Sequence, residues 1–247
     1  LVIVAEDVTV RDLATLAVVA RQPLPAPASA AARGPDGQLA IATLDGALFR
    51  GGGAGLTRLA DVGTSAAVLG FGLDGTLLHN GADHVVRAWA PDAAPGTPGR
   101  IVLPDRQLMF GLSPIAPRTG LMAVGLFGED RRRATVVLAP ATGEVRCELD
   151  AMAELWVDER WLLTERWGQV ELVDVATCRP VLAFALHRDV LTARPSIDGA
   201  GERLVTASRD GTAFVSDRRS GRASGMLLAH AGELVAVARS PGGAYLL

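Results

Sequence analysis

The stretch Leu204-Val205-Thr206-Ala207-Ser208-Arg209-Asp210-Gly211-Thr212-Ala213-Phe214-Val215-Ser216-Asp217, followed by Ser220-Gly221, decides how the rest of the chain is read. Two runs of small apolar and β-branched residues flank Ser-Arg-Asp-Gly, and Asp-Gly supplies the positive φ that a tight hairpin demands. The stretch therefore predicts two antiparallel strands. Runs of Val, Leu, Ala and Thr recur between Gly, Asp and Pro along the whole chain, and helical periods are scarce. The expectation is an all-β protein.

The hairpin also repeats. Pairs that occupy the place of Ser216-Asp217 are Arg11-Asp12, Arg50-Gly51, Trp89-Ala90, Leu138-Ala139 and Val173-Asp174. In chain order the six pairs are 39, 39, 49, 35 and 43 residues apart, averaging 41, a period that points to a repeat architecture. Turn signals recur in step at Gly34-Pro35-Asp36-Gly37, Leu44-Asp45-Gly46, Leu73-Asp74-Gly75 and Asp198-Gly199. Ala141-Thr142-Gly143, Ala176-Thr177-Cys178 and Ser220-Gly221 follow shortly after three of the pairs. The Pro-rich segments Pro23–Pro27 and Pro91–Gly99 fall between strands of this pattern without interrupting it, so a single domain over 1–247 is expected.

The unit from Leu186-His187 through Asp217 to Ser220-Gly221, followed by Ala229-His230, resembles a WD-repeat blade in degenerate form. That family opens each repeat with Gly-His, continues with a strand and a Ser-x-Asp-Gly turn, and closes its third strand with Trp-Asp. Here Leu or Ala replaces the Gly and Ser216 replaces the Trp. The resemblance implies a β-propeller, expected to have six blades in which 1–24 and 232–247 join as one composite blade, with two inner strands coming from the C-terminal segment. A cut from a seven- or eight-bladed ring is the alternative. It also implies a structural hydrogen-bond set, His187 with Ser208 and Asp210 in one blade and Asp83 with Trp89 in another. These residues superficially resemble a Ser-His-Asp triad, but a triad needs an exposed nucleophile beside an oxyanion hole, and the family places them in buried turns.

Composition narrows the chemistry. The 24 basic residues are all Arg, so Schiff-base chemistry and the phosphate-binding Walker loop are absent. A net charge of −3 and 11 aromatic residues in 247 argue against direct nucleic-acid binding. No apolar run approaches the roughly 20 residues of a membrane span. The chain begins Leu1-Val2-Ile3 with no initiator Met and no charged lead-in, which reads as a piece of a longer protein and not as a signal peptide. Cys147 and Cys178 follow their closing pairs by 8 and 4 residues, which predicts outer-strand positions too far apart to bridge, reduced thiols and a cytoplasmic location.

Three clusters remain as candidates. His79 and His84 flank Asn80-Gly81-Ala82-Asp83, so a turn could gather two imidazoles and the Asp83 carboxylate around a metal. The run Glu129-Asp130-Arg131-Arg132-Arg133 sits in the longest interval, where Arg131, Arg132 and Arg133 could contact a protein partner. Trp156, Trp161 and Trp167 crowd the next unit, expected mostly between blades, with any exposed one forming a contact site. The Gly51–Gly55 run precedes no helical pattern and reads as a turn. The expected function is a noncatalytic scaffold or sensor module, without cofactor, that binds a protein partner or other domains of a larger bacterial signalling protein. The larger signalling proteins implied by resemblance are a nucleotide-binding switch ATPase, a transcription regulator or a Ser/Thr kinase. The alternative is a propeller hydrolase with a metal-assisted site built on His79, Asp83 or His84.

Overall fold

A computed structural model describes residues 2–12, 14–52, 55–63, 69–81, 83, 85–103, 107–112, 116, 119–127, 133–184, 187–198, 201–229, 232 and 234. The protein is all-β, and among the described residues six antiparallel sheets follow one another in chain order. The first has three strands in the order β1-β2-β3: β1 (Val2–Val4), β2 (Asp7–Arg11) and β3 (Val18–Pro23). The other five have four strands each. They are β4 (Ala28–Arg33), β5 (Leu39–Thr43), β6 (Ala47–Gly52) and β7 (Gly55–Asp61); β8 (Leu69–Phe71), β9 (Leu77–Asn80), β10 (Val86–Trp89) and β11 (Arg100–Leu103); β12 (Gln107–Leu112), β13 (Met122–Phe127), β14 (Arg133–Leu138) and β15 (Val145–Leu149); β16 (Met152–Trp156), β17 (Trp161–Arg166), β18 (Gln169–Asp174) and β19 (Arg179–Phe184); β20 (Leu191–Ile197), β21 (Arg203–Ser208), β22 (Thr212–Asp217) and β23 (Ala223–Ala229). Each is a meander in which sequential strands pair.

The closing pairs fall in the third strand of every four-stranded sheet, at Arg50 and Trp89 and at Leu138, Asp174 and Asp217. In the first sheet the pair Arg11-Asp12 falls at the end of the second strand. Among the described residues the first sheet thus matches the last three strands of the others and shows no counterpart to the first, where two inner strands were expected from 232–247. Of that segment only Gly232 and Leu234 are among the described residues, so the composite blade lies outside them.

The chain divides into two compact units, 1–132 with 138–145, and 133–137 with 146–247. In the first unit, Val8, Leu39 and Ile41 form a core shared by the first and second sheets. Ala40, Ala42, Leu48, Leu59, Phe71, Leu77 and Trp89 form another between the second and third. In the second unit, Leu163, Val170, Leu172, Phe184 and Leu204 join the fifth and sixth sheets. Covering a sheet on both faces explains why all five residues of β5, Leu-Ala-Ile-Ala-Thr, are buried, a continuous run instead of an alternating one. Each fully buried side chain of Leu or Phe size contributes about 1.5–3 kcal/mol.

Turn chemistry follows the sequence. Gly46 and Gly211 sit at φ 91° and 81° in the β5–β6 and β21–β22 turns, with Asp45 and Asp210 accepting hydrogen bonds from the Thr43 and Thr212 hydroxyls, both at 2.5 Å. A second left-handed position lies four residues after Asp12, Ala139, Asp174 and Asp217, filled by Leu16, Gly143, Cys178 and Gly221 at φ between 56° and 76°. Cys178 therefore stands where two other repeats use Gly.

The cysteines depart from expectation. Their Cα atoms are 5.5 Å apart and the sulfurs form a disulfide, linking β15 to the β18–β19 turn. The outer strand of one sheet runs beside the end of the next sheet's third strand, so residues 31 apart in sequence become neighbours. The cytoplasmic expectation drew on free thiols, and the bridge removes that support.

Candidate functional sites

Two polar clusters carry the residues singled out in the sequence, one in each unit. In the second unit, His187 leads into the sixth sheet and its ring is held at both nitrogens: Nδ1 hydrogen-bonds Thr212 Oγ1 at 2.9 Å and Nε2 hydrogen-bonds Thr206 Oγ1 at 2.8 Å. Asp210 accepts from the Thr212 hydroxyl and amide, the latter at 2.9 Å, and from the Arg188 N–H at 2.6 Å. The Ser208 hydroxyl donates to the backbone carbonyls of Asp189 and Val190, at 2.9 and 3.0 Å. His187, Ser208 and Asp210 are thus brought together, but Ser208 points at backbone and not at the imidazole. Burial lowers the His187 pKa against the pull of Asp210. Burial also pushes the Asp210 carboxyl up, but the bonds from Thr212 and Arg188 outweigh it and hold the group below the usual range. Every polar group here has a protein partner, the geometry of a turn lock. Thr206 and Thr212, which complete it, were not singled out in the sequence; both lie in the quoted hairpin, facing His187.

In the first unit, the pairing of His79 with Arg87 and of Leu77 with Trp89 puts these four side chains on one face of the third sheet. Trp89 is 3% exposed, donates its indole N–H to the Thr97 carbonyl at 3.0 Å and packs so closely on Gly99 that a Cβ there would lie 2.6 Å from the ring. His79 stacks on Trp89 with centroids 4.2 Å apart and is 1% exposed. Neither of its ring nitrogens has a hydrogen-bond partner. Burial drives its pKa down to about 4, so the ring is neutral at pH 7. Asp83 sits in the β9–β10 turn and is gripped by both terminal nitrogens of Arg87, at 2.8 and 2.6 Å; these bonds lower its pKa to about 2. A half-open cavity of about 590 Å³ is lined by His79, Asp83, Arg87, Trp89, Val62 and Thr97, among others.

Asp83 and Trp89 line this one cavity, but among the described residues the first is bound to Arg87 and the second to Thr97, with no hydrogen bond shared between them. Asp83, which the metal-assisted alternative uses as a ligand, is engaged through both carboxylate oxygens by Arg87. Among the described residues no three His, Cys, Asp or Glu side chains gather as a metal-ligand group, and His84 lies outside those residues. Arg131 and Arg132 also lie outside the described residues, and Arg133 is described only as the first residue of β14.

The tryptophans diverge. Trp156 is buried at 6% exposure, Trp161 packs against the second unit's core with the Arg160 guanidinium 4.9 Å from its ring centre, and Trp167 is 80% exposed. Trp167 occupies φ 53° at the tip of the β17–β18 hairpin, where a bulky side chain is costly. Behind it Glu165, 3% exposed, accepts the Gly168 N–H at 2.5 Å, and Gly168 lies against the backbone of Asp189.

Arg50 is a further residue that sequence reasoning passed over except as a closing-pair member. It occupies the slot that Trp89 fills in the next sheet and is 9% exposed. Its guanidinium donates to Gln38 Oε1 and to the carbonyls of Ala90 and Gly75, at 2.7 and 2.8 Å for the carbonyls, and tethers β6 to the third sheet. No protein-family model and no curated protein matches the chain. No helix among the described residues is long and apolar enough to cross a membrane.

Proposed function

We propose that the chain is a noncatalytic interaction module, a degenerate WD-repeat-like β-propeller of six blades closed by its N- and C-terminal segments, serving as the regulatory part of a larger bacterial signalling protein. The observation that carries this reading is Trp167. A Trp that is 80% exposed gains nothing from burial, and its left-handed backbone costs about 1–2 kcal/mol. A side chain that burdens the fold and faces solvent on a rigid turn suits a partner, because Trp is enriched among residues that dominate binding energy. The repeated four-stranded meanders and the locked turn at His187 support the propeller part. The polar groups of that turn are consumed by structure, which leaves it no nucleophile to offer.

The contact residue in this reading is Trp167, and the arginines Arg131, Arg132 and Arg133 are proposed separately, from the sequence, as a second protein contact. Asn tolerates left-handed backbone, so Trp167→Asn relieves the turn while deleting the anchor. Proteins retained by the immobilised wild-type chain should be lost from Trp167→Asn, whose melting temperature should equal or exceed that of wild type. The triple Arg→Ala variant should fold normally and bind with slower association, as expected for rim charges. Unchanged retention by both stable variants would overturn the module reading of these residues.

A further inference from the structure

The outer strand of one sheet meets the turn that follows the third strand of the next, and the chain builds this junction more than once. In the second unit, a Cβ on Gly221 would lie 3.2 Å from Leu182 Cδ1 of β19. In the first unit, a Cβ on Gly143 would lie 3.1 Å from Val102 Cγ1 of β11. Both glycines hold the left-handed position after a closing pair, at φ 69° and 76°, and an apolar side chain covers each without a covalent link. In the fifth sheet Cys178 holds that position at φ 56°, and Cys147 of β15 stands where Leu182 and Val102 stand. The fold therefore makes the same junction twice without a bridge, and the disulfide is an addition that the architecture does not require. Its two ends are placed unequally. Cys178 is half-buried in a surface turn between the exposed Thr177 and Arg179, whereas Cys147 is 2% exposed. At its far end β15 leads to Asp150, whose ion pair with Arg166 of β17 is exposed and screened by solvent.

We propose that Cys147–Cys178 is a thiol–disulfide exchange site, a redox latch that a low-molecular-weight thiol opens at Cys178, freeing β15 from the fifth sheet while both sheets stay folded. The reductant's thiolate attacks Cys178 Sγ, the S–S bond breaks, and Cys147 Sγ leaves with the bonding electron pair and takes up a proton. Cys178 then carries a mixed disulfide. A second reductant thiolate attacks the reductant's sulfur in that mixed disulfide, and Cys178 Sγ leaves and is protonated. Two reductant thiols become one disulfide and the protein's disulfide becomes two thiols, so electrons and protons balance. Cys147 is suited to the open state, because a buried thiol behaves as a small apolar side chain in a place that Leu and Val fill elsewhere. Reoxidation by a small disulfide such as oxidised glutathione runs the same steps in reverse and ends with the bridge restored. This inference goes beyond the interaction-module reading and uses none of the residues that carry it.

The probe is reduced glutathione, added to the whole chain without denaturant, with peptide mapping by mass spectrometry after an acid quench. The bond should open with the circular dichroism spectrum unchanged, and glutathione should be found on Cys178 and not on Cys147. After opening, iodoacetamide should label Cys178 at least about tenfold faster than the buried Cys147. Amide exchange across Val145–Leu149 should speed by about tenfold and slow again when oxidised glutathione is added. The double variant Cys147→Val/Cys178→Gly copies the contact of Val102 with Gly143, so it should fold, show the faster exchange from the start and ignore glutathione. Opening only at urea concentrations that unfold the chain, equal labelling of the two cysteines, or unchanged exchange in β15 after complete reduction would overturn the latch and leave the bridge a permanent staple.

Discussion

At the residue scale, the two described histidines differ in what surrounds them, and the difference has measurable consequences. Thr206 Oγ1 is the partner of His187 Nε2, in a setting where Thr206 is fully buried. Thr206→Val keeps the shape of the side chain and strands the ring nitrogen, so a loss of about 1–3 kcal/mol is expected in urea unfolding. A loss below the error of the measurement would mean that water replaces the hydroxyl. His79 makes stability depend on pH. In the unfolded chain its imidazole takes up a proton near pH 6.5, and in the folded chain only near pH 4. Between these values the unfolded state binds more protons, so the folded state loses stability as pH falls, by a total on the order of 3 kcal/mol. The lowered pKa of His187 acts with the same sign. Urea melts at pH 7 and pH 4.5 should show the decline, and His79→Ala should flatten it; an unchanged slope in that variant would place the effect elsewhere.

At the element scale, the β18–β19 turn and β15 are joined by a covalent bond that neither element explains alone. Cys178 holds φ 56° in a position that Gly fills after Ala139 and Asp217. Leu16 also takes this backbone without a bridge, and in Cys178 the strained position coincides with the bridge to Cys147. Closing a loop of 31 residues is worth about 3–4 kcal/mol in the chain-entropy account. Intact-mass measurement of the denatured chain, before and after reduction, should show a gain of two hydrogens. Cys147→Ser should destabilise by an amount of that order, and Cys178→Gly by less, since Gly relieves the backbone while the bridge is lost. Equal losses in the two variants would show that the left-handed turn costs nothing.

At the scale of the whole molecule, the first sheet matches the last three strands of the others, and among the described residues no strand lies on the outer side of β1. In the proposed ring, one strand from 232–247 pairs there. Amide exchange of Val2–Val4 in the intact chain should then be slow, and deletion of 232–247 should release it and lower the melting temperature, because an unpaired edge exposes its backbone groups. Loop-like exchange of Val2–Val4 in the intact chain would refute closure.

Strand content, the hairpin turns and the repeat were legible in the amino-acid sequence because each is a local property: Asp-Gly at positive φ and short apolar runs act over a few residues. The spacing of the closing pairs anticipated that Trp89, Leu138, Asp174 and Asp217 end third strands. The His187 turn was legible for the same reason, since Ser208, Asp210 and Thr212 lie within one hairpin. What depends on packing between sheets was not. The two cysteines were expected apart because strand counting places them on different sheets, and only the lateral approach of those sheets brings their Cα atoms to 5.5 Å. Asp83 was assigned to Trp89 by repeat analogy, whereas the longer β9–β10 turn lets it reach Arg87. Burial likewise separates three tryptophans that look alike in sequence, filling cores with Trp156 and Trp161 and leaving Trp167 in solvent. Local backbone chemistry therefore determined the elements and their period, and long-range packing alone decided which side chains meet, because those distances depend on how one sheet's face lies against the next.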